Sequence, residues 1–178
     1  MTSKFGLPAE DQGFTLIELL AGVALIGILM TLAAGALRIY WFRQGLERSS
    51  EVVVTEMRGA QQRAFAESHP VVYGLRFQVG STTWAIVQFD PRKASNKCIE
   101  VERHTFPTKV SVSAASFADG GEATTTCRSA LGSSSQLAFF FSRGTATAGS
   151  VTLRSPYVDS TKTVDVFGVT GRAEERGE

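Results

Sequence analysis

Histidine and cysteine occur only twice each in the 178 residues, and the net charge is only +1. Each shortage excludes something. Near-neutral charge gives a nucleic acid or an acidic substrate no long-range attraction. His69 and His104 have no nucleophilic serine of the G-x-S-x-G kind, no activated cysteine and no carboxylate pair in readable relation to them. Ser133-Ser134-Ser135 reads as a flexible loop. No phosphate-binding loop or dinucleotide fingerprint is present. Cys98 and Cys127 lack the histidine spacing of a zinc site, so neither metal nor cofactor is expected.

Charge is also missing from one long stretch. Leu19–Leu37 has no ionisable side chain and is built almost wholly from Leu, Ile, Val, Ala, Gly and Met. As a helix these nineteen residues cover about 28 Å, close to the roughly 30 Å hydrocarbon layer of a bilayer. A helix apolar on all sides needs lipid or similar helices around it.

Three readings compete for this stretch. A buried core helix fits poorly at the edge of a sequence. A cleaved secretory signal could use Ala34-Gly35-Ala36, but its apolar run would be shorter and its lead-in more basic. Here Lys4 is the only basic residue of the lead-in, and Glu10 and Asp11 precede the run. A retained membrane helix fits best.

The string GFTLIELL, Gly13 to Leu20, heads the run. It resembles the class III signal of type IV pilins and type II secretion pseudopilins. The resemblance implies cleavage by a prepilin peptidase after Gly13, methylation of the new N-terminal Phe14, and an assembly role for Phe14 and Glu18. A carboxylate costs about 2.5–3.5 kcal/mol at the bilayer centre. In the first helical turn the helix dipole offsets part of that cost for Glu18. In a filament the implied partner is the Phe14 amine of a neighbouring subunit, a pairing that rewards one register over others.

Two features depart from the family pattern. The leader ends Ala9-Glu10-Asp11-Gln12 rather than in basic residues, and Arg38, Arg43 and Arg48 follow the span. Positive charge alone would therefore favour the opposite orientation, whereas prepilin processing requires a cytoplasmic leader. Gly35 stands near where major pilins carry a kinking proline, and costs the helix roughly 1 kcal/mol relative to alanine.

Beyond Leu37, Ile39, Phe42, Leu46, Ser49, Val53, Met57, Ala60 and Ala64 draw one helical stripe. Pro70 marks its end. Residues 14–68 would form a rod of about 80 Å. Strand-like runs follow at Val71–Phe77, Thr83–Phe89, Ile99–Thr105, Val110–Ala114, Leu137–Ser142, Val151–Arg154 and Val164–Val169. The Ser/Thr/Gly/Ala-rich stretch from about Ala114 to Gln136 reads as a long loop.

The expected fold is α+β and pilin-like, with a long N-terminal helix packed on an antiparallel β-rich domain. Residues 1–13 are the leader, 14–37 the transmembrane and filament-core helix, 38–69 its amphipathic continuation, and 70–178 an extracytoplasmic domain. FFSRGTATAGSVTL and the closing VDVFGVTGRAEERGE are similar to the H-type minor pseudopilins and their type IV pilus relatives (the GspH/FimT group). Arg143-Gly144-Thr145 and Thr170-Gly171-Arg172 carry that likeness.

In an extracytoplasmic domain Cys98 and Cys127 are free to pair, the alternative being two unrelated thiols. Closure of about 30 residues would restrict the unfolded chain by roughly 3.6 kcal/mol. The first functional expectation is an H-type minor pseudopilin of type II secretion. It would be held by one span in the inner membrane and work with other pseudopilin subunits and the prepilin peptidase, without catalysis. The second is a minor pilin of a type IV pilus that binds DNA through Arg172 and Arg176. Glu174 and Glu175 separate those arginines, and the last seven residues hold two positive and three negative charges, so a polyanion gains little. A membrane-anchored extracytoplasmic enzyme is third.

Overall fold

The computed structural model describes residues 15–67, 69–107 and 109–176. The chain divides into two compact units, Met1–Arg38 and Ile39–Glu178. Helix α1 runs over Leu16–Glu67. Within the first unit its apolar side chains are open to their surroundings, from Ile26 at 55% to Leu16 at 79% exposure. Such a helix has no protein core of its own to explain its composition. Its length and hydropathy suffice to cross a membrane.

In the second unit α1 is amphipathic. Leu46, Ser49, Val53, Met57, Ala60 and Ala64 are buried, as the stripe predicts, together with Gly45, Ser50 and Val54. The stripe begins later than the sequence implies, since Ile39 is half exposed. The two buried serines bond back to the helix, Ser49 Oγ to Gly45 O at 2.7 Å and Ser50 Oγ to Glu47 O at 2.8 Å. Their burial therefore leaves no hydroxyl unsatisfied.

Two antiparallel four-stranded sheets complete the unit, in the orders β3-β2-β1-β5 and β4-β6-β7-β8. The first sheet contains β1 (Val72–Phe77), β2 (Thr83–Phe89), β3 (Cys98–Thr105) and β5 (Gln136–Phe140). The second contains β4 (Ser111–Phe117), β6 (Gly149–Arg154), β7 (Thr161–Val166) and β8 (Ala173–Glu175). The buried face of α1 shares one core with inward residues of both sheets, among them Leu75, Phe77, Ile86, Val151, Leu153 and Val164.

The expected long loop at Ala114–Gln136 is not one. Strand β4 continues to Phe117, and helix α2 occupies Glu122–Leu131. Its sequence, EATTTCRSAL, has little helical propensity, so burial and tethering make the helix. Ala123, Thr124 and Cys127 are buried. Ala123 and Cys127 pack with Val72, Val87, Phe89, Leu137 and Phe139 on the face of the first sheet that carries this second core. Strands covered on both faces lose the polar alternation of half-exposed ones, and β1 and β5 have almost no exposed position.

Candidate assembly site

At the head of α1, Thr15 accepts the Glu18 amide through Oγ1 at 3.3 Å, while its carbonyl accepts the Glu18 and Leu19 amides at 3.1 and 3.2 Å. Thr15 is thus an N-cap with Glu18 three residues on, the Thr-x-x-Glu spacing of a capping box. That signal was available in the sequence beside the cleavage motif. Among the described residues the Glu18 carboxylate has no side-chain partner, and it projects from an otherwise apolar surface. Gly13 and Phe14, the expected processing and assembly residues, lie outside the described residues.

The paired turns near the C-terminus converge on the helix. Gly171 has φ +62°, and a Cβ there would lie 2.6 Å from Gln61 Nε2 and 2.7 Å from Gly144 O. Gln61 Nε2 donates to Thr170 O at 3.3 Å. Gly144, φ +85°, faces Phe65. The Arg-Gly-Thr and Thr-Gly-Arg motifs therefore form one junction, where α1 meets the β5–β6 and β7–β8 turns. Glycine is needed there for backbone conformation and for close approach.

Strand β8, absent from the sequence reading, is tied down by its acidic residues. Glu175 Oε2 lies 2.9 Å from Ser50 Oγ and shares that hydroxyl's one hydrogen with Glu47 O, and it pairs with Lys162 at 2.7 Å. The arginines on either side of it are also engaged. Arg172 pairs with Glu174, and Arg176 grips Asp165 through Nε and one Nη at 2.8 and 2.7 Å. Arg92, Lys93 and Lys97 make a second basic cluster in the β2–β3 loop, where Arg92 holds Asp90 and Lys97 pairs with Glu122. A phosphate backbone would have to compete with these carboxylates.

Cys98 and Cys127 form the expected disulfide, with Cα atoms 5.2 Å apart. It joins the start of edge strand β3 to α2 and is buried. His104 stacks on Trp84 with centroids 4.4 Å apart, and its Nε2 lies 3.2 Å from Glu102. His69 lines an open cleft of about 340 Å³ with Val71, Phe141 and Arg143. Among the described residues no group of three His, Cys, Asp or Glu side chains could hold a metal ion.

The family described as the prokaryotic N-terminal methylation motif matches residues 10–34, which include Gly13, Phe14 and Glu18. Two structures of the minor pseudopilin EpsH from the type 2 secretion system of Vibrio cholerae share the fold. They are 13% identical to the chain, with TM-scores of 0.52 and 0.54, cover 74% and 76% of it, and are themselves 96% covered. The fold is pilin-like. Among curated proteins no match is found. In this pilin-like chain the methylation motif and the β domain are separate signals, one from sequence and one from fold. The structure brings together the cysteines and the two glycine turns, while Glu18 lies in the first unit and Arg172 and Arg176 flank β8.

Proposed function

We propose that the chain is an H-type minor pseudopilin of a type II secretion apparatus that works by assembly rather than catalysis. Residues 1–13 are a leader removed after Gly13, and residues 14–37 anchor the precursor once in the inner membrane and later pack in the filament. Residues 38–69 continue that helix into residues 70–178, the domain held on the extracytoplasmic side. Phe14, methylated, and Glu18 set the register between subunits. The observation that carries this reading is the alignment of nearly the whole EpsH chain with this one, in a chain that also has the methylation motif. A disulfide in the domain supports an oxidising compartment.

The reading of a DNA-holding minor pilin gains no comparable support, because Arg172 and Arg176 are each paired within the chain. Mass spectrometry of the mature N-terminus from native membranes tests processing. A start at methylated Phe14 is expected, and a start near Arg38 would mean ordinary secretion. Deletion of the gene tests the machine. Loss of protein export across the outer membrane is the expected result, whereas loss of surface pili or of DNA uptake with export intact would assign the chain to a type IV pilus.

A further inference from the structure

The charge-free stretch closes at Leu37, and Phe42 follows only five residues later. At the helical rise of 1.5 Å those residues cover about 7.5 Å. The headgroup layer on each side of the hydrocarbon is about 5–7 Å deep. Chain length alone therefore keeps Phe42 close to lipid headgroups if residues 19–37 span the bilayer. Phe42 is not alone at that level. Its ring stacks on Tyr157 of the β6–β7 loop, with centroids 4.3 Å apart. Lys109, from the β3–β4 loop, donates to the Tyr157 hydroxyl at 3.1 Å, its ammonium 5.5 Å from the ring centroid. Two loops distant in sequence are thus brought level with helix residue 42.

The surroundings have the chemistry of a membrane interface. Tyr40 and Trp41 are 56% and 55% exposed, and these are the side chains that favour the headgroup boundary, apolar in body and polar at the tip. Arg43 borders a cleft with Asp159 and Ser160, and Arg154 borders a second cleft with the same two residues. Asp159 and Glu47 oppose the cations there, so Arg43, Lys109 and Arg154 leave a small positive excess. Lys109 is exposed and held in place by Tyr157.

We propose that the loops carrying Lys109 and Tyr157 dock on anionic phospholipid headgroups of the bilayer that holds the apolar helix. Lys109 faces headgroup phosphate, and Tyr40 and Trp41 occupy the interface. The domain would then be stored against the membrane before assembly. This inference rests on the reading of residues 19–37 as a retained span.

The test uses the full processed chain in vesicles of phosphatidylcholine with and without phosphatidylglycerol. Amide exchange is followed in residues 106–110 and 155–160. Exchange about five-fold slower with the anionic lipid is expected, which is about 1 kcal/mol for one basic side chain near such a surface. Lys109→Glu should abolish the slowing and leave exchange in β2 unchanged. If the reversal disturbs β2, Lys109→Gln gives the same reading without a new charge. Equal exchange in both lipids, with the chain floating with the vesicles, overturns the docking surface alone. Failure to float overturns the span as well. Slowing that follows protein density rather than lipid charge would make the surface an interface between copies, which also overturns the proposal.

Discussion

The hydroxyl of Tyr73, on β1, donates to the carboxylate of Glu67 in the last turn of α1. Gln88 of β2 closes the triangle, giving one amide hydrogen to Tyr73 at 2.8 Å and another to Glu67 at 3.2 Å. The helix end is thereby fastened to two adjacent strands. Burial first, and then the bond to Glu67, raise the Tyr73 pKa from 10.0 to about 12. A phenol that holds its proton more tightly when folded stabilises the fold fully below pH 10, and the contribution is lost as pH rises through about 12. Tyr73→Phe should cost about 1 kcal/mol at neutral pH and change how stability varies with pH between those limits. Denaturant melts at pH 8, 10 and 11 would check this. A variant with the same alkaline profile as the parent would remove Tyr73 as its source.

Gly171 meets two constraints at once, a left-handed backbone and a crowded neighbourhood. Gly80 has the first without the second, since its φ is +82° and a Cβ added there would meet nothing within 4 Å. Gly80→Ala should therefore cost about 1–2 kcal/mol, the ordinary penalty of that conformation. Gly171→Ala must also displace Gln61 or the Gly144 carbonyl, and should cost about 3 kcal/mol or more. Thermal melts of the pair separate the effects. Equal losses would mean that the junction with α1 relaxes freely.

The parts legible in the sequence were those with a strong period. The Leu46-to-Ala64 stripe becomes the buried face of α1. Strands such as Thr83–Phe89 keep their limits because turn residues bracket them. Helix α2 was hidden because Glu122–Leu131 owes its form to Cys98 and to the sheet surface beneath it, neither of which is local. Strand β8 has three residues and two adjacent glutamates, and pairing with β7 plus bonds to Ser50 and Lys162 make it a strand. At the head of α1 the Thr15–Glu18 spacing was legible but stood behind the methylation motif that shares its residues.

The Cys98–Cys127 bridge closes a separation of 29 residues. Its removal should cost about 2–4 kcal/mol, and the loss should be local at first. Helix α2 buries only Ala123, Thr124 and Cys127, few contacts for ten residues. In Cys98→Ser/Cys127→Ser, limited proteolysis should cut within residues 119–135 well before the strands are attacked. Cleavage spread evenly over the domain would show that α2 does not open separately.

In the proposed function Glu18 would join local helix formation to assembly. Its amide is capped by Thr15, so the helix head needs no help from its carboxylate. The carboxylate, exposed in the first turn with no side-chain partner among the described residues, is the group that the proposed pairing with another subunit would use. Glu18→Ala should therefore leave α1 and leader cleavage largely intact and reduce filament incorporation by an order of magnitude or more. Glu18→Gln should do the same, because it keeps size and loses charge. Gly13→Ala should instead block cleavage. Thr15→Ala removes only the cap, costs about 1 kcal/mol of helix stability, and should assemble close to normally. Immunoblots of sheared filaments and of membranes read all four. Normal incorporation of Glu18→Ala would break the link between this carboxylate and assembly, and a failure of Thr15→Ala equal to that of Glu18→Ala would mean that helix capping, not charge, is what the filament requires.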